Sequence, residues 1–153
     1  MFMTNKVFLD SSVLVEYAKK TRMELLRDLM SIQTLELFIN ETVVSEYTFY
    51  HLIIEGAKAP RTLKENKVIP TIIKTANPIT FLRLFSYLST NESILALYLD
   101  FMEKYNLLPN DALILATCKL HGINHLASFD ASDFTIACAG EGIQLIQSIN
   151  DLT

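Results

Sequence analysis

The chain has 153 residues, half of them hydrophobic, with four Gly and four Pro; this excludes a disordered or fibrous protein and bounds it to one domain, residues 1–153, with a sizeable core. A formal net charge of −4 excludes a protein that coats nucleic acid through global positive charge, while a local basic surface stays open. The two cysteines, Cys118 and Cys138, have no C-x-x-C spacing and no matching His set, and no apolar stretch reaches roughly 20 residues, so the expectation is a cytoplasmic protein with reduced thiols and no membrane contact.

In chain order, Lys6-Val7-Phe8-Leu9 is a short apolar run ending at an acid, which predicts a buried strand. Ser11 and Ser12 offer N-caps for a helix over Val13 to Ala18. A second helix is predicted from Met23 to Ile32, with Leu25, Leu26, Leu29 and Met30 on one face. Leu37-Phe38-Ile39 reads as another buried strand, and Asn40 or Thr42 can cap a following helix that carries Val43, Glu46, Tyr47, Tyr50 and Ile54 and stops near Gly56 and Pro60. Lys58 to Asn77 is ambiguous, interrupted by Pro70 and Pro78 and allowing a short helix over Thr71 to Thr75. Phe81 to Leu88 and Ile94 to Tyr105 have the spacing of amphipathic helices. Pro109-Asn110 opens a further helix with Asp111 in its first turn and Gly122 after its end. His125 to Ser128 predicts a third strand, Ala137 to Gly140 a small-residue turn, and Ile143 to Ile146 a fourth strand. Strands alternating with helices imply parallel βαβ units: an α/β domain in three layers, its central parallel sheet flanked by helices.

Four carboxylates recur at comparable places. Asp10 follows a strand directly, Glu46 lies early in the helix after a strand, Asp111 starts a helix that leads into a strand, and Asp130 follows that strand. The carboxyl ends of parallel strands converge on one edge where ligands bind, so Asp10 and Asp130 meet there if their strands are neighbours. Clustered carboxylates repel one another and need cations; oxygen-only ligands select hard ions, hence Mg²⁺ or Mn²⁺. Ions held this way activate water and stabilise the leaving oxygen of a phosphodiester. Taken singly, Asp111 reads better as a helix-dipole partner and Glu46 as part of a solvated face; only the set of four points to a site.

Three blocks resemble the PIN domain family and, within it, the small VapC-type toxin ribonucleases. They are Val7-Phe8-Leu9-Asp10-Ser11-Ser12-Val13-Leu14-Val15, then Val44-Ser45-Glu46, and finally Leu108-Pro109-Asn110-Asp111-Ala112-Leu113-Ile114-Leu115-Ala116 through His121-Gly122-Ile123 to Leu126-Ala127-Ser128-Phe129-Asp130-Ala131-Ser132-Asp133-Phe134. The resemblance implies a PIN fold and a Mg²⁺- or Mn²⁺-dependent endoribonuclease acting on an RNA substrate, often inhibited by an antitoxin protein and often a homodimer. It places Asp10, Glu46, Asp111 and Asp130 at the family's acidic positions, with Ser12 and Ser128 as supporting hydroxyls. Asp133 is a second candidate for the last acid, or else holds the turn from Asp130 to Phe134. The stretch from Lys58 to Ile94 departs from the family's short spacing.

Charge is uneven: Lys58 to Arg83 holds six basic residues against the single acid Glu65, whereas eight acids and only Lys104 and Lys119 follow Arg83. Arg61, Lys64, Lys67 and Lys74 are candidates for RNA phosphate contacts or for an ordinary solvated loop. Two rival functions remain open here. A Mg²⁺-dependent phosphatase would use Asp10 as nucleophile, although Ser12 stands where a second Asp is usual. A non-catalytic PIN-like module would bind RNA or protein without cleaving.

Overall fold

The computed structural model describes residues 5–152. The elements run β1 (Lys6–Leu9), α1 (Ser11–Ala18), α2 (Glu24–Ser31), β2 (Glu36–Asn40), α3 (Glu41–Gly56), α4 (Pro60–Glu65), α5 (Ile69–Thr75), α6 (Ile79–Leu82), β3 (Ser86–Leu88), α7 (Ile94–Tyr105), α8 (Pro109–Leu120), β4 (His125–Ala127), α9 (Ala131–Glu141) and β5 (Gln144–Ile146), with a 3₁₀ turn at Ile149–Asp151. The strands form one parallel sheet in the order β3-β2-β1-β4-β5.

Continuous apolar runs make the inner strands. Val7, Phe8 and Leu9 have no exposed surface, and Leu126 and Ala127 of β4 are equally enclosed, so helices cover both faces of the sheet. The order reverses between β1 and β4, which pair with Phe8 opposite Leu126 and Leu9 opposite Ala127. The chain leaves β1 for β2 in one direction and reaches β4 in the other, which opens a crevice at the carboxyl ends of these two strands. Asp10 and Ser128 are the first residues beyond them.

Several local expectations are corrected. Asp10, not Ser11 or Ser12, caps α1, its Oδ1 accepting from the Ser11 amide; both serines are helical. Asn40 caps α3, accepting from the Val43 amide at 3.0 Å. Met30 is 39% exposed despite sharing a helix with buried Leu25, Leu26 and Leu29. Pro60 follows the end of α3 at Gly56, as expected, and opens α4, while Pro70 opens α5 instead of interrupting the chain, because the first helical turn needs no N–H donor. Phe81 to Leu88 is not one helix: a single turn, α6, is followed by the edge strand β3, which pairs with β2 through Phe38–Ser86, Ile39–Tyr87 and Asn40–Leu88. Residues 137–140 lie within α9, where Gly140 packs so closely on the Tyr105 ring that a Cβ there would collide with it. Cys118 and Cys138 are free and buried.

Candidate active site

Asp10 is 4% exposed. Its Oδ2 accepts from Ser12 Oγ at 2.8 Å and from Ser128 Oγ at 2.7 Å, while Oδ1 takes the Ser11 amide at 2.9 Å. The two hydroxyls in turn accept backbone donors of the loop after β4: Phe129 N–H reaches Ser12 Oγ at 3.1 Å and Asp130 N–H reaches Ser128 Oγ at 3.0 Å. Ser12 and Ser128 therefore tie the carboxylate at the end of β1 to the loop that carries Asp130. Asp130 Oδ1 accepts from Ser132 Oγ at 3.0 Å.

Glu46 comes from α3. Its Oε1 accepts from Ser11 Oγ at 3.1 Å and its Oε2 from Asn110 Nδ2 at 3.2 Å, so both oxygens are oriented by neighbours of other acids. Asp111, one residue on from Asn110, is half-buried in the first turn of α8. Asp10, Glu46, Asp111 and Asp130 all line one pocket of about 330 Å³, together with Ser11, Ser12, Val15, Glu16, Lys19 and Tyr50. Carboxylate oxygens of Asp111, Asp130 and Asp133 lie within 4.8 Å of one another.

The electrostatics follow from this crowding. Burial pushes the Asp10 carboxyl above its ordinary value, opposed by the Ser128, Ser12 and Ser11 donors and reinforced by Asp130. Burial also raises Glu46, with Asp10 adding to the rise. Asp111 is pushed up to about 7, first by desolvation and then by Asp10, Asp133, Asp130 and Glu46. Asp133 is raised chiefly by the hydrogen bond it shares with Asp130. Carboxylates crowded and desolvated in this way are ones that a cation would stabilise. Oxygens about 2.1 Å from an octahedral ion lie at most about 4.2 Å apart, so the Asp111, Asp130 and Asp133 trio needs only a small closure to share one. The donor set is all oxygen, which fits Mg²⁺ or Mn²⁺.

Arg61, Lys64 and Lys67 line a different pocket with Pro60, Glu65 and Ile69. They and Lys74 sit on α4, α5 and the turn between them, which pack against the last turns of α3 at Gly56, the end opposite to its first turns near Glu46. Sequence reasoning passed over Ser11, Asn110, Glu16, Lys19 and Tyr50. Ser11 and Asn110 were legible only as helix-start residues beside acids; nothing in the spacing of Lys19 brings it to the pocket.

An acidic crevice at the reversal point of a parallel sheet defines a class of α/β domain, and the sequence comparisons specify it. Residues 7–137 match the PIN domain family. The chain is 34% identical over 131 residues to ribonuclease VapC2 of Methanocaldococcus jannaschii, covering 82% of this chain and 85% of that protein. It is 37% identical over 145 residues to ribonuclease VapC6 of the same organism, covering 85% and 91%. This chain belongs to the PIN domain family. Among solved structures, the sarcin-ricin loop cleaving toxin VapC20 of Mycobacterium tuberculosis superposes with a TM-score of 0.60 at 15% identity, over 86% of this chain and 94% of that one. A toxin-antitoxin complex from Klebsiella pneumoniae gives a TM-score of 0.57 at 20% identity, over 84% and 89%. At those identities the likeness is one of fold.

Proposed function

We propose that this chain is the ribonuclease toxin of a toxin–antitoxin pair, hydrolysing RNA phosphodiester bonds with Mg²⁺ or Mn²⁺ at a carboxylate site. The observation that carries this reading is the convergence of Asp10, Glu46, Asp111 and Asp130 on one pocket at the β1–β4 crevice. The ribonuclease relatives across most of the chain support it. Asp10, Asp111 and Asp130 are the residues to hold the ion, with Asp133 as a further ligand. Bound there, a divalent ion supplies Lewis acidity toward a phosphoryl oxygen and makes a nucleophile of water at neutral pH. Glu46, turned into the pocket by Ser11 and Asn110, serves either as a further ligand to the ion or as the base that accepts the proton of the attacking water. Asp10, fixed by three donors and almost wholly enclosed, suits a ligand held in place better than a nucleophile that must advance on a substrate. Arg61, Lys64, Lys67 and Lys74 offer a second, more distant contact for a long RNA. An antitoxin and a second copy of the chain are the implied partners, with Phe49, 52% exposed on α3, as apolar surface for them.

Calorimetric titration with Mn²⁺ beside RNA incubation tests the reading. Binding by the wild type, weakened about 10- to 100-fold or more in Asp111→Asn or Asp130→Asn, together with RNA cleavage that EDTA abolishes, is expected. Absent metal binding with no cleavage of any RNA would favour the binding-module alternative.

A further inference from the structure

A pocket lined by carboxylates repels the strand it is to cut, and this chain carries a net charge of −4. Phosphates flanking the scissile one need cations fixed beside the acids, and the basic stretch on α4 and α5 lies at the other end of α3. The turn between α1 and α2 carries cations at the near side, Lys19 and Arg22. Lys19 is the one basic residue among those lining the acidic pocket, and its ammonium is 4.0 Å from Glu16, a loose and exposed pairing.

Arg22 is held differently. Its guanidinium lies 3.7 Å from the centroid of the Phe129 ring. Phe129 stands between Ser128 and Asp130, and its own amide is bonded to Ser12 Oγ, so the ring is anchored to the platform that holds Asp10. Among the described residues no acceptor engages the guanidinium. A guanidinium stacked by its face keeps its N–H edge free and planar, the form that grips a phosphate with two parallel hydrogen bonds. Lys20 and Arg22 both adopt left-handed backbone angles, φ 60° and 42°, where a glycine would be easier; two long cations are placed there instead.

We infer that Arg22, stacked on Phe129 and flanked by Lys19, is a binding site for an RNA backbone phosphate next to the bond being cleaved. The inference rests on the ribonuclease reading and assigns Arg22 a positioning role, outside the reacting atoms.

The test uses the full chain with Mn²⁺ and a labelled single-stranded RNA at several salt concentrations. Wild type, Arg22→Ala, Arg22→Lys and Phe129→Leu are compared in KM, kcat and melting temperature, and RNA binding is followed in the Asp10→Asn background. Arg22→Ala should raise KM about tenfold or more, leave kcat within about twofold, and flatten the slope of log KM against log salt by about 0.7. Arg22→Lys should restore the salt slope but only part of the affinity, since an ammonium lacks the planar fork. Phe129→Leu should raise KM with the salt slope kept. Arg22→Ala with wild-type KM and slope, or with its loss confined to kcat and melting temperature as for a purely structural stack, would overturn the inference while leaving the ribonuclease reading intact. A wild type that neither binds nor cleaves RNA would overturn both.

Discussion

At the residue scale the arrangement turns on two hydroxyls. Ser128, with no exposed surface, donates to Asp10 and accepts from the Asp130 amide, so one atom sets the relation between two strands' terminal acids. Replacing Ser128 by Ala leaves the Asp130 N–H without that acceptor and Asp10 Oδ2 with one donor fewer. The expected cost is about 1–3 kcal/mol of stability in a denaturant titration and a 10- to 100-fold loss of metal affinity or cleavage. Glu46→Gln keeps the Ser11 contact but removes the carboxylate proposed as the base; on that proposal cleavage should fall about 10²- to 10⁴-fold with Mn²⁺ binding largely retained, measured by single-turnover kinetics and calorimetry. Asp10, Asp111 and Asp130 were legible because each stands where an apolar run or a helix begins or ends, and Glu46 because it lies early in the helix after a strand. The hydrogen bonds that orient them were not, since Ser11, Ser12 and Asn110 read equally well as helix caps until their partners, some more than a hundred residues away, are placed.

At the element scale the start of α8 titrates according to what surrounds it. Asp111 has its folded-state pKa raised to about 7 from 3.8, so the folded chain binds this proton more tightly than the unfolded chain does. That contribution to stability is present in full below the ordinary value and is lost as pH climbs through about 7. The metal-free protein should therefore melt at a lower temperature at about pH 8 than at about pH 5, Asp111→Asn should flatten this dependence, and Mn²⁺ should restore more stability at the higher pH, where the site is ionised; differential scanning calorimetry reads all three. Packing gives a second prediction. A Cβ on Gly56 would come within 2.6 Å of Leu63 Cδ1 and 3.1 Å of Ile72 Cδ1, so Gly56→Ala should force α4 and α5 off the end of α3 at about 1–3 kcal/mol, seen as an earlier unfolding midpoint.

The elements that carry the acids were predicted from sequence because buried parallel strands and well-capped helices announce themselves. The strand β3 was not. Phe81, Leu82, Leu84, Phe85 and Leu88 fall at helical spacing, yet only Phe85 is buried, and Leu84 is 58% exposed. An edge strand of three residues has one neighbour and needs no continuous apolar run, so local periodicity prevails over the pairing with β2 that decides the matter. In α9, a run of small residues hid a helix, and of these Gly140 has no room for a Cβ beside the Tyr105 ring.

At the scale of the whole molecule, the sheet order brings Asp10, Asp130 and the starts of α3 and α8 to one crevice, from stretches spread across most of the chain. Charge is uneven along the sequence, and in the fold the acids of the crevice stand apart from Arg61, Lys64 and Lys67, which surround another pocket at the far end of α3. No helix among the described residues is long and apolar enough to cross a membrane. The two thiols take no part in the site; burial raises Cys118 well above the usual thiol range and Cys138 to about 12, so neither should react with iodoacetamide in the native protein at neutral pH.

The central claim is that clustered carboxylates cleave RNA through a divalent ion. It is tested most directly by the single-turnover rate on single-stranded and structured RNA, measured in parallel for the wild type with Mn²⁺, the wild type with EDTA and Asp10→Asn with Mn²⁺. The account predicts cleavage in the first reaction alone. Cleavage that persists in EDTA or in the Asp10→Asn protein would contradict it.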